Sequence, residues 1–482
     1  MEKYTLTARR LGWTAVATPL TSLSNLILLV VLTKKLPIAD YGAWALIMVT
    51  IGVLPWLTTL GLPTAIRRFL AAEKDKGEIR EAFYSMGLVV LATSSIVCGF
   101  LFLFASQIAA SLFHNNNTIA LLLITNILIA CLTLYLLQYF TTFQQIKTYS
   151  LLLIFNAYLN TALIAILVLL GYGLEGAVIA LLAQQLVGLA LILYLIVAQI
   201  GIAIPKFRRV RQYLAFGIPL VPANMAQWVV DSSDRYLIAL FLGAAAVGYY
   251  SPGYNLGSTL TLIASPLLVL LLPLLSERYD DNKLTDVRTI LTYSLKYYSA
   301  IVLPCVFSLA VLAKPLLLVL TTQEIAVNGY LVTPIVAAGA ALIGASTMFF
   351  NTLALKKKTA LIGMIWAFSA VLNFGLNLVL IPYLGFIGAA VTTFLAFLLA
   401  FLLTSYYALK EFKFDVKPAF IAKSVCGSSI IALFLLVWNP SGLLSIALSI
   451  ALAAVIYLGI LLVLRGLTIA EIKLIYKIYR GS

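Results

Sequence analysis

The sequence predicts an all-α integral membrane protein of fourteen transmembrane helices: two pseudo-symmetric six-helix bundles followed by two further C-terminal helices. Three observations lead there. Of 482 residues, 63% are hydrophobic and only 10% charged, and the mean hydropathy is +1.06, far above the roughly 45–50% apolar usage of soluble domains. Apolar stretches long enough to cross a hydrocarbon core of about 30 Å, roughly 20 residues each, recur from end to end. The chain also carries a weak internal repeat, which sets "LPIADYGAWAL" from Leu36 on "LGAAAVGYYSP" from Leu242.

Charged or turn-rich breaks place the spans near 11–33, 41–63, 83–106, 119–141, 150–170, 176–198, 213–242, 248–275, 293–313, 330–350, 359–381, 386–408, 418–438 and 443–464. The first is expected to stay uncleaved, because its apolar run is too long for a signal peptide and no small-residue cleavage site precedes "KKLP". An even number puts both termini on one side. Of the 32 basic residues, 28 fall in segments on that side, while Lys34, Lys35 and Lys314 face the other and Arg235 lies within a span. By the positive-inside rule both termini are expected in the cytoplasm, with the protein in the cell membrane.

The repeat extends to the later helices. "LNTALIAILVLLGYGLEGAV" and "LNFGLNLVLIPYLGFIGAAV" share a Leu-Asn (Asn160, Asn373), an apolar run and a GxxG turn (Gly173/Gly176, Gly385/Gly388). The expected organisation is therefore bundles at 1–205 and 206–412, then two helices with a tail at 413–482. The tail's Ile469, Ile472 and Ile475 at helical spacing, with Lys473, Lys477 and Arg480 elsewhere, suit a helix lying along inner headgroups. Repeated halves are frequent in transporters that alternate access between two sides.

Composition excludes several classes. The formal charge of +15 follows membrane topology and anionic headgroups rather than nucleic acid. Cys98, Cys131, Cys305 and Cys426 fall in separate apolar runs, and the single histidine, His114, sits in a polar loop, so neither a metal site nor a catalytic histidine is expected. No Gly-Lys dipeptide occurs, which removes the phosphate-cradling loop of ATP hydrolysis, and no cofactor is expected.

The seventh span holds the unusual chemistry. Asn224, Gln227, Asp231 and Asp234 are spaced i, i+3, i+7 and i+10, one helical face, and Arg235 borders it. A mid-bilayer charge costs roughly 2.5–3.5 kcal/mol even on the lenient insertion scale, so this face should look into protein or water. The repeat sends Asn224, Gln227 and Asp231 to Thr18, Thr21 and Asn25 in the first helix, giving matching polar faces for a hydrated cleft. Asp234 and Arg235 map to Leu28 and Leu29, so the charges belong to one half only. Asp231 and Arg235, at i and i+4, suit a structural ion pair as well as a substrate or ion contact. Pro219, Pro222 and Pro252 allow bends in this region, whether static or part of a cycle.

"DRYLIALFLGAAAVGYYSPGYNLGSTL" resembles the Asp-Arg, Gly, Val-Gly-x-Tyr-Ser pattern of the polysaccharide flippase family, within the multidrug/oligosaccharidyl-lipid/polysaccharide exporter superfamily. "LGLPTAIRRFLAAEKDKGE" resembles that family's first-half signature. The resemblance, covering essentially the whole chain, implies flipping of a polyprenyl-diphosphate-linked oligosaccharide from the cytoplasmic to the outer leaflet, alongside polysaccharide assembly proteins. Arg235 is then the first candidate for the diphosphate or an acidic sugar, through charge-assisted hydrogen bonds. Arg67, Arg68, Arg278 and Lys296 at inner helix ends either collect the headgroup or are ordinary positive-inside residues. Asp231 or Asp234 would take a coupling proton or Na⁺.

Three alternatives are weighed beside it. A drug/cation antiporter of the same superfamily typically has twelve helices and a first-helix carboxylate, where this chain has Asn25. A peptidoglycan-precursor flippase places charges in its first helix, and "LGWTAVATPLTSLSNLILLVVLT" has none. A membrane glycosyltransferase or polymerase needs a catalytic constellation in a sizeable loop, while the longest loops here, near 64–82 and 276–292, are short basic-acidic connectors.

Overall fold

The structure, a computed structural model, describes residues 2–113 and 115–466; it leaves out the side chains of residues 2–11, 223–224, 264–267, 269–270 and 273. His114 and the interfacial tail expected beyond residue 466 lie outside the described residues. In chain order the helices are α1 (Glu2–Lys35), α2 (Ile38–Thr58), α3 (Leu62–Phe69), α4 (Lys76–Leu103), α5 (Ala105–Leu112), α6 (Asn117–Thr142), α7 (Ile146–Leu169), α8 (Gly173–Ile200), α9 (Val210–Gly217), α10 (Val221–Leu242), α11 (Ala244–Ser258), α12 (Leu260–Asp280), α13 (Leu284–Leu320), α14 (Gln323–Gly329), α15 (Val332–Leu355), α16 (Thr359–Leu384), α17 (Phe386–Glu411), α18 (Pro418–Trp438) and α19 (Leu443–Val463).

Among the described residues, twelve helices are long and apolar enough to cross a membrane. They correspond to twelve of the fourteen expected spans. The expected seventh span is broken: α9 and α10 meet through a 3₁₀ turn at Ile218–Leu220 and are bent by 52°. Pro219 and Pro222 account for this, since each removes a backbone donor and clashes with the preceding turn. The expected eighth span is divided at Thr259 into α11 and α12.

Helix ends follow local chemistry. Pro37 separates α1 from α2, because a residue before proline is pushed out of the helical region. The Asp75 carboxylate caps α4 by accepting from the Gly77 N–H at 2.7 Å, and Asn116 caps α6 through the Ile119 N–H at 3.2 Å. The GxxG turns begin with Gly173 and Gly385, at φ +56° and +65°.

Two compact units divide the chain, residues 1–248 and 249–482. In the first, α1 packs on α7, α7 on α8, α8 on α6, and α6 on α2 and α4; α9 lies on α3 and α10 on α2. Leu32, Trp44, Ile47, Phe113, Ile127 and Val178 belong to one of its cores. In the second, α15 packs on α17, α17 on α16 and α13 on α15, while α18 and α19 attach to α13. Leu291, Met348 and Phe349 belong to its main core.

Lipid tails are as apolar as leucine, so buried polar contacts and close packing tie such helices together. Ser24 bridges α1 to α7, its Oγ 2.7 Å from Thr161 Oγ1. In the second unit the Asn377 amide donates to Asn373 Oδ1 at 3.1 Å, and Thr392 of α17 donates to Asn377 Oδ1 at 2.5 Å; all three residues are fully buried. Asn377→Leu removes both bonds at once. It is expected to lower stability by about 0.6–2 kcal/mol, the range for interhelical hydrogen bonds in membranes, read as an earlier thermal unfolding transition in detergent.

Candidate functional site

Residues 227–236 of α10 carry the candidate site. At 3.6 residues per turn, Gln227, Asp231 and Asp234 run along one side of the helix, and Arg235 adjoins it. Asn224 falls on the same face by spacing, but its side chain lies outside the described residues. Gln227 is exposed and Asp231 half-buried, whereas the side chains of Asp234 and Arg235 are 0% and 7% exposed. The charges thus become more enclosed along the helix.

One ion pair in this helix joins neighbours. Arg235 Nη1 lies 3.2 Å from Asp234 Oδ1, and the same Oδ1 accepts the Arg235 backbone N–H at 2.8 Å. The guanidinium also donates to the Asp231 backbone carbonyl at 3.1 Å. An undisturbed α-helix pairs the 231 carbonyl with the 235 N–H; here side chains contact both groups. The expected i,i+4 reach is therefore present, and one guanidinium nitrogen uses it to reach the backbone carbonyl of residue 231. The carboxylate folds back onto its own helix, as short polar side chains do, and this brings it within range of the arginine.

A second polar link, not anticipated from sequence, fixes α10 to α2. Thr50 Oγ1 donates to the Leu46 carbonyl at 2.7 Å, which leaves its oxygen to accept from the Tyr236 hydroxyl at 2.5 Å. Tyr236 follows Asp-Arg directly in sequence, the one signal that pointed to it. Trp228 packs against the Tyr236 ring at 6.0 Å between centroids.

The other expected residues are dispersed. Asn25 is exposed on α1, and the Thr21 hydroxyl donates back to the Ala17 carbonyl at 3.0 Å. Arg67 and Arg68 are exposed on α3, which packs on α6 and α9. In the second unit, Arg278 Nη1 lies 3.8 Å from Asp286 Oδ2, and Lys296 is buried at 8% exposure. Among the described residues no group of three or more His, Cys, Asp or Glu side chains is placed to hold a metal.

One contact in the first unit bears on the repeat. A Cβ on Gly42 of α2 would fall 1.8 Å from the Ala244 carbonyl oxygen of α11, and one on Gly248 would fall 2.4 Å from the Ile38 carbonyl oxygen. Adding 206 to 38 and 42 gives 244 and 248, so each glycine faces the repeat counterpart of the residue that the other faces. Neither position has room for a side chain.

Comparisons with known proteins agree with this architecture. The family model described as "Polysaccharide biosynthesis protein" matches residues 8–278, more than half of the chain. A curated relative, the probable low-salt glycan biosynthesis flippase Agl15 of Haloferax volcanii, is 24% identical over 249 residues, covering 50% of this chain and 51% of the relative; the match spans about half the length of each. Among solved structures, the lipid II flippase MurJ in an inward closed conformation superposes with a TM-score of 0.75 at 15% identity, covering 92% of this chain and 97% of that one. An inward-facing multidrug resistance transporter of the MATE family, from the MOP superfamily, reaches a TM-score of 0.66 at 16% identity, covering 81% and 95%. At these identities the likeness is one of fold.

Proposed function

Because the chain belongs to the polysaccharide biosynthesis protein family, we propose that it flips a polyprenyl-diphosphate-linked oligosaccharide from the cytoplasmic to the outer leaflet by alternating access. The observation that carries this reading is the enclosed Asp234–Arg235 pair on a polar face of a membrane helix. Such a face is costly against lipid and is suited to a hydrated route. The cargo fits that setting: sugars and an anionic diphosphate cannot cross hydrocarbon unaided, while the lipid tail never needs to leave it. Agl15, a flippase of glycan biosynthesis by name, supports the cargo class.

In this reading both termini are cytoplasmic and the two interrupted segments, α9–α10 and α11–α12, count as spans, which gives fourteen. The repeat-related contact of Gly42 and Gly248 supports paired halves of 1–205 and 206–412. It lies at the helix ends expected on the outer side, where an export route would have to part. Arg235 contacts the diphosphate or an acidic sugar, Gln227 and Asn224 line the approach with Asn25 and Thr21, and Asp231 takes the coupling proton or Na⁺.

Reconstitution into vesicles with lipid-linked oligosaccharides on one leaflet tests this directly. Transfer to the other leaflet should need the protein and respond to an imposed proton or Na⁺ gradient. No protein-dependent transfer of any polyprenyl-diphosphate glycan, with cationic drugs moved instead, would overturn the reading in favour of an antiporter.

A further inference from the structure

Residues 201–209 connect α8 to α9, with no helix or strand among them. Connectors of this kind ordinarily leave their backbone to water and are among the more mobile parts of a chain. This one is fastened to α4. Glu78, Glu81 and Ser85, at i, i+3 and i+7, lie along one face of that helix. Glu81 Oε1 accepts the Lys206 N–H at 3.2 Å and the Arg208 N–H at 3.4 Å, and the Ser85 hydroxyl donates to the same oxygen at 3.0 Å. Ser85 Oγ in turn accepts the Phe207 N–H at 3.1 Å. Phe207 stands at φ +55°, a left-handed conformation uncommon outside glycine. Its turn gathers successive N–H groups into the kind of concavity that takes an anion. The anion is the chain's own carboxylate.

Further contacts hold both ends of the connector. The Tyr84 hydroxyl donates to the Gly201 carbonyl at 2.8 Å, and the Glu78 carboxylate lies 3.8 Å and 3.6 Å from the guanidinium groups of Arg208 and Arg209. Beyond it, α9 rests on α3. The Phe69 ring packs on Tyr213 at 5.3 Å and on Phe216 at 5.5 Å between centroids, and a Cβ on Gly217 would fall 2.4 Å from the Leu60 carbonyl oxygen. The 3₁₀ turn and the 52° bend into α10 follow at once.

We propose that Glu81 and Ser85 form a strap that makes the connector a fixed strut and keeps α9 seated on α3. The inner end of the segment that carries Asp231, Asp234 and Arg235 is thereby anchored through α4. With the strap undone, the connector becomes a tether and α9 loses its restraint on that side. All of these contacts lie inside the first unit, so the strap stands independently of the cargo.

Hydrogen–deuterium exchange of the purified full chain, read by mass spectrometry on peptides covering 201–209 and 210–217, gives the test. Local opening sets the exchange rate of a bonded amide, so the unaltered protein should protect the amides of Lys206, Phe207 and Arg208 although they lie in a connector. Glu81→Ala/Ser85→Ala should raise exchange across 201–209 by at least about tenfold, the loss expected for a hydrogen bond to a charged group. Exchange in 210–217 should rise with it, while peptides of α15 in the second unit stay unchanged and report an intact fold. Ser85→Ala alone, the milder change, should release the Phe207 amide if the double variant folds poorly. Arg208→Ala/Arg209→Ala removes only exposed ion pairs and should alter either peptide by less than about fivefold.

Free exchange of the three amides in the unaltered protein overturns the strap. So does faster exchange in 201–209 with 210–217 unmoved, which would make the seat of α9 independent of the connector. Neither reading requires glycan transfer, so the strap and the proposed function fail or stand separately.

Discussion

Arg235→Ala should abolish translocation and also destabilise the protein, whereas Asp234→Asn/Arg235→Gln should recover stability alone. The geometry makes the single variant ambiguous. Asp234 is fully buried and ion-paired to the guanidinium, so truncating the arginine breaks a buried ion pair, typically at a cost of about 3–5 kcal/mol. Lost transport could then reflect lost fold. The double variant replaces the pair with two neutral amides of similar size that can still hydrogen-bond each other and the backbone. If the guanidinium contacts an anionic cargo, the double variant folds, with an unfolding temperature close to that of the unaltered protein, and transfers no glycan in vesicles. Wild-type transfer by the double variant would make the pair structural. Arg235→Lys adds a graded case, because an ammonium keeps the charge but loses the planar fork.

The second large effect is expected at two glycines. Gly42→Ala and Gly248→Ala each place a methyl group into a backbone carbonyl, at 1.8 Å and 2.4 Å. Neither carbonyl belongs to a flexible side chain, so the helices must separate. Each substitution is expected to cost at least the roughly 1–3 kcal/mol of an overpacked contact and to lower both unfolding temperature and transport. Gly52→Ala on the same helix α2 meets nothing within 4 Å, and it should be neutral or slightly stabilising, since alanine favours helix. A Gly42→Ala protein as stable and active as Gly52→Ala would show that the close crossing is dispensable.

The spans were legible in sequence because hydrophobic length is set by the bilayer, and twelve of the expected fourteen stand as continuous helices. What escaped was structure shorter than that yardstick. Helices α3, α5, α9 and α14 have eight residues or fewer and disappear inside a window of about 20 residues. The start of α13 escaped for the opposite reason: its polar first turns, from Leu284, continue a helix beyond any hydrophobic limit.

At the site, spacing identified the face of α10 but not the Asp234–Arg235 contact. That contact depends on rotamers, since Asp234 turns onto the Arg235 N–H. Tyr236 and Thr50 were missed because their contact joins α10 to α2, far apart in sequence. Lys296 reads in sequence as an inner helix end; its ammonium lies 5.2 Å from the Phe420 ring of α18, a contact that no local pattern foretells.

Proline inside a helix does not by itself break these spans. α1, α2 and α13 keep their course through Pro19, Pro55, Pro304 and Pro315. Residues 217–260 differ, holding a 3₁₀ turn, a 52° bend and the division at Thr259, and the join between the two compact units at residues 248 and 249 falls within them. The breaks in helical continuity thus cluster in one stretch of the chain. The same stretch carries Asp231, Asp234 and Arg235. The charged face and the breaks in helical continuity thus occupy one segment, where a substitution that restores straight helix would also reorient the charges.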